Sequence, residues 1–185
     1  MTEKELIDGV LRNERSAQMQ LYKQYQTTWY MICLRYHKNK EDAQDVLQNA
    51  LIKIFTKLKQ FDASKGNFKS WSSKVVINEN LMFLRKKVSS FKVDAIDEVL
   101  FVPDQGESAL DILSAEELTK MIQKLPAGYR AVFNLYVIEG FNHQEIADIL
   151  EIQTGTSKSQ LSKARKLLQK QLEALLQEES YVRRK

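Results

Sequence analysis

Asn142-His-Gln-Glu-Ile-Ala-Asp-Ile-Leu150, then Glu151-Ile-Gln-Thr-Gly155, then Thr156-Ser-Lys-Ser-Gln-Leu-Ser-Lys-Ala-Arg-Lys-Leu-Leu168 form one continuous stretch near the C-terminus. Asn142 and Glu145 have the spacing of a capping box, so a short helix opens at His143 and runs through Leu150. A tight turn containing Gly155 follows, and a longer basic helix is predicted over about 156–177. Short helix, tight turn and basic helix make a helix-turn-helix pattern. Ala147 falls at the close crossing, and Ile146, Leu150, Ile152 and Leu161 supply the shared core. Along the last helix Leu161, Ala164, Leu168, Leu172 and Leu175 form the inward stripe. At about 100° per residue this turns Thr156, Ser159, Gln160, Ser162, Lys163 and Lys166 outward. Between 154 and 170 there are five basic residues, Lys158 among them, and no acidic one. Such a helix suits a DNA major groove, its hydroxyls and amides at base edges and its cations at phosphates.

Working outward, every other signal is also helical. Ser114 and Glu117 form a second capping box, opening a helix to Leu125, and Pro126 starts the next, which ends at the C-cap candidate Gly140. Upstream, helices are predicted over about 3–12 and 15–37, and Asn39 caps a third. The third carries Ala43, Val46, Leu47, Ala50, Leu51, Ile54, Phe55 and Leu58 as an unbroken stripe of helical period. A turn at 62–67 ends it, and a fourth helix over about 68–87 carries Phe68, Trp71, Val75, Val76, Ile77, Leu81, Met82, Phe83 and Leu84. Two Pro and six Gly in 185 residues are too few for a turn-dense β architecture. The fold class is all-α.

Charge divides the chain. Residues 1–91 carry +7, residues 92–111 carry −5 and the remainder +2. Residues 92–112, with Pro103, Gly106 and no sustained period, read as a flexible acidic linker between small helical domains at 1–91 and 113–178, with a tail at 179–185. Two basic bodies point to a polyanion such as nucleic acid. No apolar run is long enough to span a bilayer, and the polar, acidic N-terminus lacks the pattern of a signal peptide, so a cytoplasmic protein without membrane insertion is expected. The single Cys33 forms no internal disulfide. Cys33 and His37 are four apart on one helix, yet the pair lacks the further ligands of a zinc site, and no phosphate-binding Gly-rich loop or nucleophile elbow is present. No cofactor, metal or catalytic residue is expected.

In the N-terminal domain, Glu41, Asp45, Gln48 and Ile52 lie opposite the core stripe of the third helix, an isoleucine among polar residues that suits a partner surface. On the fourth helix Asn78 shares a stripe with Trp71, Val75 and Met82, where an amide either satisfies the core or meets a ligand. Residues 53–87 hold nine Lys/Arg against Asp62 and Glu79, interleaved with Phe61, Phe68, Trp71 and Phe83, a mixture suited to single-stranded nucleic acid.

The stretch Glu41-Asp-Ala-Gln-Asp-Val-Leu-Gln-Asn-Ala-Leu-Ile-Lys-Ile-Phe55, followed by Phe68-Lys-Ser-Trp71 and by Asn78 through Lys86, resembles the second conserved domain of ECF-type bacterial sigma factors of the sigma-70 family. Leu125-Pro-Ala-Gly-Tyr-Arg130, Glu145-Ile-Ala147 and Gly155 through Arg165 resemble their fourth. The resemblance implies that Asp45, Gln48, Asn49 and Ile52 dock on the β′ clamp of core RNA polymerase, whose β subunit is a further partner. It implies that Phe61, Lys65, Asn67, Trp71, Lys74, Asn78 and Arg85 serve the −10 element and hold a base flipped from the non-template strand. Thr156, Lys158, Ser159, Gln160, Ser162, Lys163 and Lys166 are then the −35 readers. Promoter DNA is the implied ligand and an anti-sigma protein a candidate regulator. The linker resembles the segment that threads the polymerase channel.

Four positions depart from the family pattern. Asn49 stands for a Glu, Glu151 for the turn Gly, Ser157 for an inward apolar residue, and Gln153 for a capping Ser, with Thr154 as a substitute cap. A helix-turn-helix regulator that binds an operator without entering polymerase is the alternative reading. A helical protein that sequesters a partner is a second, and the N-terminal domain discriminates against the first.

Overall fold

The computed structural model describes residues 2–87 and 114–182, and the predicted linker 92–112 lies outside them. The chain divides into two compact units, Met1–Leu84 and Arg85–Lys185. Among the described residues the regular structure is entirely helical.

The first unit holds α1 (Glu3–Leu11), α2 (Arg15–Tyr36), α3 (Lys40–Lys57) and most of α4 (Phe68–Lys87). Local chemistry sets their starts. Thr2 and Glu5 form a reciprocal capping box on α1, and the Asp42 N–H donates to Asn39 Oδ1 at 2.7 Å at the head of α3. Ala43, Val46, Leu47, Ala50, Ile54 and Leu58 are buried as the α3 stripe requires. Leu21, Tyr25, Trp29, Ile32 and Tyr36 of α2 face them together with Phe68, Val76, Ile77, Leu81 and Leu84 of α4.

Polar groups also cross this core. Trp29 Nε1 donates to Ser72 Oγ at 3.0 Å. Asn80 Nδ2 donates to the Val76 carbonyl at 2.8 Å and approaches Cys33 Sγ at 3.6 Å, while Asn80 Oδ1 pairs with His37 Nε2 at 2.8 Å. Because the Val76 carbonyl fixes which end of the amide is NH2, His37 must carry its proton on Nε2. Cys33 and His37, noted in the sequence as a pair, are thus joined through an asparagine, and burial pushes the Cys33 thiol up to about 11.

The second unit holds α5 (Ala115–Gln123), α6 (Ala127–Phe133), α7 (His143–Leu150) and α8 (Thr154–Val182). Both expected capping boxes form, Ser114 with Glu117 and Asn142 with Glu145. The helix expected to run unbroken from Pro126 to Gly140 changes to a π turn at Asn134–Ile138, after which Gly140 takes φ 78°. α8 outlasts its predicted end at Gln177, as no Gly or Pro interrupts the sequence to Val182. Arg130 is buried, and its Nη1 donates to the carbonyls of Gln123 and Leu125 at 2.8 and 3.3 Å, satisfying the end of α5. Burial brings its guanidinium down to about 10.

Candidate functional site

Three surfaces carry the residues singled out in the sequence. On α3, Glu41, Asp45, Gln48, Asn49 and Ile52 are all exposed, and Ile52 is 62% exposed. Asp45, Gln48, Asn49 and Ile52 fall within about 100° of helix arc, so they form one ridge. Asn49 turns its amide back to the Asp45 carbonyl at 3.1 Å, which leaves Asp45 as the ridge's anion beside the apolar tip of Ile52. Behind the ridge Lys53 pairs with Glu79 of α4, tying the two helices together.

The second surface follows α3. Asp62 Oδ1 accepts from the Ser64 N–H and hydroxyl at 3.0 and 2.7 Å, and those bonds hold its carboxyl below the usual range. Lys65 is exposed and lies 3.5 Å from Asp62. Gly66 has φ 149° and ψ 174°, a conformation side chains rarely adopt, so the loop needs glycine there. Asn67 Oδ1 accepts from the Ser70 N–H at 2.8 Å and caps α4. Half-buried Phe61 and Trp71 lie with ring centroids 5.6 Å apart, each also against the fully buried Phe68. From Trp71 the α4 face continues through Lys74, Val75, Asn78, Met82 and Arg85, which spans about 21 Å along the axis.

This face corrects one expectation. Asn78 does share a stripe with Trp71, Val75 and Met82, yet the stripe is not core: Asn78 is exposed and Met82 is 43% exposed. The core amide of α4 is Asn80, between buried Val76, Ile77 and Leu84, a residue the sequence reading passed over. Its position between those three apolar residues was the available signal.

On α8, Lys158 and Lys166 are exposed and Thr156, Ser159, Ser162 and Lys163 half-buried. Gln160, expected outward, is 3% exposed. It lies between Ser157 and Ala164, both fully buried, and a Cβ on Gly128 would sit 3.1 Å from its amide nitrogen. The missing side chain at 128 leaves room for the amide, so Gln160 packs against α6 rather than facing outward as expected. Glu151 takes the left-handed conformation in place of the usual glycine, φ 56° and ψ 43°. Thr154 is the first residue of α8 rather than its cap, and its hydroxyl donates to Gln144 Oε1 at 3.1 Å. Ser157 is buried, as an inward position demands, and meets His143 Nδ1 at 2.9 Å. The sequence reading noted His143 only as the start of the short helix, and its bond to Ser157 of α8 had no local signal.

No helix of the described residues is long and apolar enough to cross a membrane. Residues 21–89 match sigma-70 region 2, and residues 115–168 match sigma-70 region 4. The chain is 30% identical over 183 residues to the ECF RNA polymerase sigma factor SigW of Bacillus subtilis, covering 93% of this chain and 97% of that one. It is 28% identical over 190 residues to the RNA polymerase sigma-H factor of Pseudomonas aeruginosa, covering 95% and 96% respectively. Among solved structures, the sigma factor RpoE in complex with the anti-sigma factor NepR from Bartonella quintana is 26% identical, covering 84% of this chain and 96% of that one, with a TM-score of 0.49. With region 2 ahead of region 4 and a 30% identical match to an ECF factor over 93% of its length, the chain belongs to the ECF branch of the sigma-70 family of transcription initiation factors.

Proposed function

We propose that the chain docks on core RNA polymerase through the α3 ridge, reads the −10 element with the 61–67 loop and the α4 face, and reads the −35 element with α8. The β′ clamp receives Asp45, Gln48 and Ile52, the β subunit is a further contact, and the acidic linker joins the two DNA-reading domains. One observation carries the reading: Ile52, 62% exposed, stands on a polar ridge in a chain that also holds a helix-turn-helix. An operator-binding regulator needs only the second unit and leaves both the ridge and the region 2 match without a purpose.

The chain has no reaction of its own in this scheme, because polymerase supplies the chemistry. Its contribution to opening is binding energy. Extruding a base costs a few kcal/mol, and a surface that binds only the extruded base lowers the cost of melting without nucleotide hydrolysis. Trp71 offers a ring for stacking, Asn78 an amide for a base edge, and Lys65, Lys74 and Arg85 cations for the strand. The factor works in the cytoplasm beside polymerase, and an anti-sigma protein covering either DNA-reading surface would hold it inactive.

Run-off transcription with purified core polymerase on genomic fragments tests the reading. Discrete transcripts that require the chain are expected. Sequence-specific DNA binding without core binding and without transcripts would make the chain an operator-binding regulator.

A further inference from the structure

The helix-turn-helix contains a basic cluster that the sequence reading used only in part. His143 at the head of α7 stacks on Tyr136 of the π turn, ring centroids 4.5 Å apart and planes 25° apart. Its Nδ1 shares a hydrogen bond with Ser157 Oγ of α8 at 2.9 Å, so the half-buried ring is fixed from the element before it and the element after it. Arg165 Cζ lies 6.0 Å from the centroid of the same Tyr136 ring. The imidazole is held below its ordinary pKa by burial first, then by the cations Lys158 and Arg165. From the π turn the facing group is the phenol of Tyr136. The carboxylates of α7 are engaged elsewhere: Glu145 accepts from the Asn142 N–H at 2.8 Å, and Asp148 from Gln144 Nε2 at 3.2 Å.

We propose that His143, Lys158 and Arg165 together receive a backbone phosphate of the −35 duplex, and that His143 takes up a proton from solvent as the complex forms. The proposal rests on the assignment of α8 to the −35 element and adds a ligand group and a proton to it. In the free chain partial burial and two cations oppose a third positive charge. A phosphate between them cancels the field of Lys158 and Arg165 and offers the ring an acceptor, so the charged form gains in the complex. Ser157 accommodates the change because a hydroxyl both donates and accepts. After protonation Nδ1–H donates to Ser157 Oγ, which leaves Nε2–H for the phosphate. The complex then binds more protons than the separate partners, and affinity rises as pH falls through the interval between the two His143 pKa values.

The test is binding of holoenzyme carrying this chain to a −35 duplex that the same holoenzyme has selected from a random library, measured between about pH 5.5 and pH 8. The expected result is affinity rising toward low pH, with a limiting slope of about tenfold per pH unit for one proton, and a flattened slope in His143→Gln. Equal slopes in the two proteins, or none in the unaltered one, overturn the proposal. Lys158→Gln provides a second reading that leaves the His143 contacts in place. Removing that cation should raise the His143 titration midpoint of the free chain, followed by proton NMR of its imidazole, and an unmoved midpoint overturns the electrostatic part. Failure to bind any duplex at every pH would mean that the −35 assignment itself is wrong, and the proposal falls with it.

Discussion

The amide nitrogen of Gln160 on α8 lies 3.1 Å from the point where a Cβ on Gly128 of α6 would stand. A polar side chain on the proposed recognition helix therefore packs against the neighbouring helix, where a side chain at residue 128 would crowd it by a few tenths of an ångström. The Gln160 Oε1 atom is buried there with no hydrogen-bond partner among the described residues, so the fit is one of shape.

Gly128→Ala and Gln160→Ala should consequently be coupled. Alanine normally gains about 1 kcal/mol over glycine inside a helix, a gain that crowding against Gln160 opposes. In a Gln160→Ala background the crowding is gone, and Gly128→Ala should be more favourable there by about 1 kcal/mol. Denaturant unfolding of the four proteins measures this, and additive effects would show that the two residues do not share space.

Asn80 holds α2 and α4 together through His37 and the approach to Cys33. Asn80→Ala removes the buried bond between His37 Nε2–H and Asn80 Oδ1, which should cost about 1–3 kcal/mol and lower the melting temperature by several degrees. A melt within a degree of the unaltered protein would show that the His37 bond contributes nothing net.

Asp45→Arg combined with Ile52→Glu should abolish binding to core polymerase. Both side chains are exposed, so the helical circular dichroism should be unchanged. An apolar centre with a polar rim concentrates binding energy at its centre, and a carboxylate buried there without a partner is strongly unfavourable. Core binding that survives the double substitution would remove the ridge from the interface.

Lys163 and Gln160 should separate cleanly in DNA binding. Lys163→Ala is expected to weaken binding by about 1–3 kcal/mol with relaxed preference at one position if it reads a base, or to lower the salt slope by about one if it meets a phosphate. Gln160→Ala should leave base preference untouched, because the side chain is buried. Altered preference in Gln160→Ala, or no effect in Lys163→Ala, would mean that α8 presents a different face.

Helix starts were legible because capping is local: Asn39, Ser114 and Asn142 each bond within three residues of themselves. Exposed Ile52 was legible for the same reason, since only the period of α3 was needed. What escaped depended on partners distant in sequence. Asn80 is explained by His37, Ser72 by Trp29, and the inward turn of Gln160 by an absent side chain at 128. Periodicity assigns a residue to a face within a few tens of degrees, and at Gln160 and Asn78 that margin decided between core and surface. The π turn at 134–138 was not legible, because Asn134, Tyr136, Val137 and Ile138 are moderate to weak helix formers and such a run does not distinguish a π turn from a continuing helix before the glycine stop.

Substitution of Asn78 offers a test that separates folding from promoter opening. Its side chain is exposed and leaves nothing buried unpaired when removed, so Asn78→Ala should change stability by no more than about 0.5 kcal/mol. If the amide meets an extruded base, open-complex formation on duplex promoter should fall although the protein remains folded. A template with a preformed bubble has already been unpaired but still presents the base for capture, so the defect there should shrink without vanishing. Lys74 and Arg85 on the same face would hold the strand in both cases, which keeps the comparison specific to the base. A thermal melt and transcription from both templates with the same variant give the answer. A large drop in melting temperature with equal defects on the two templates would make Asn78 a structural residue, and full activity on the duplex would take it out of the −10 surface.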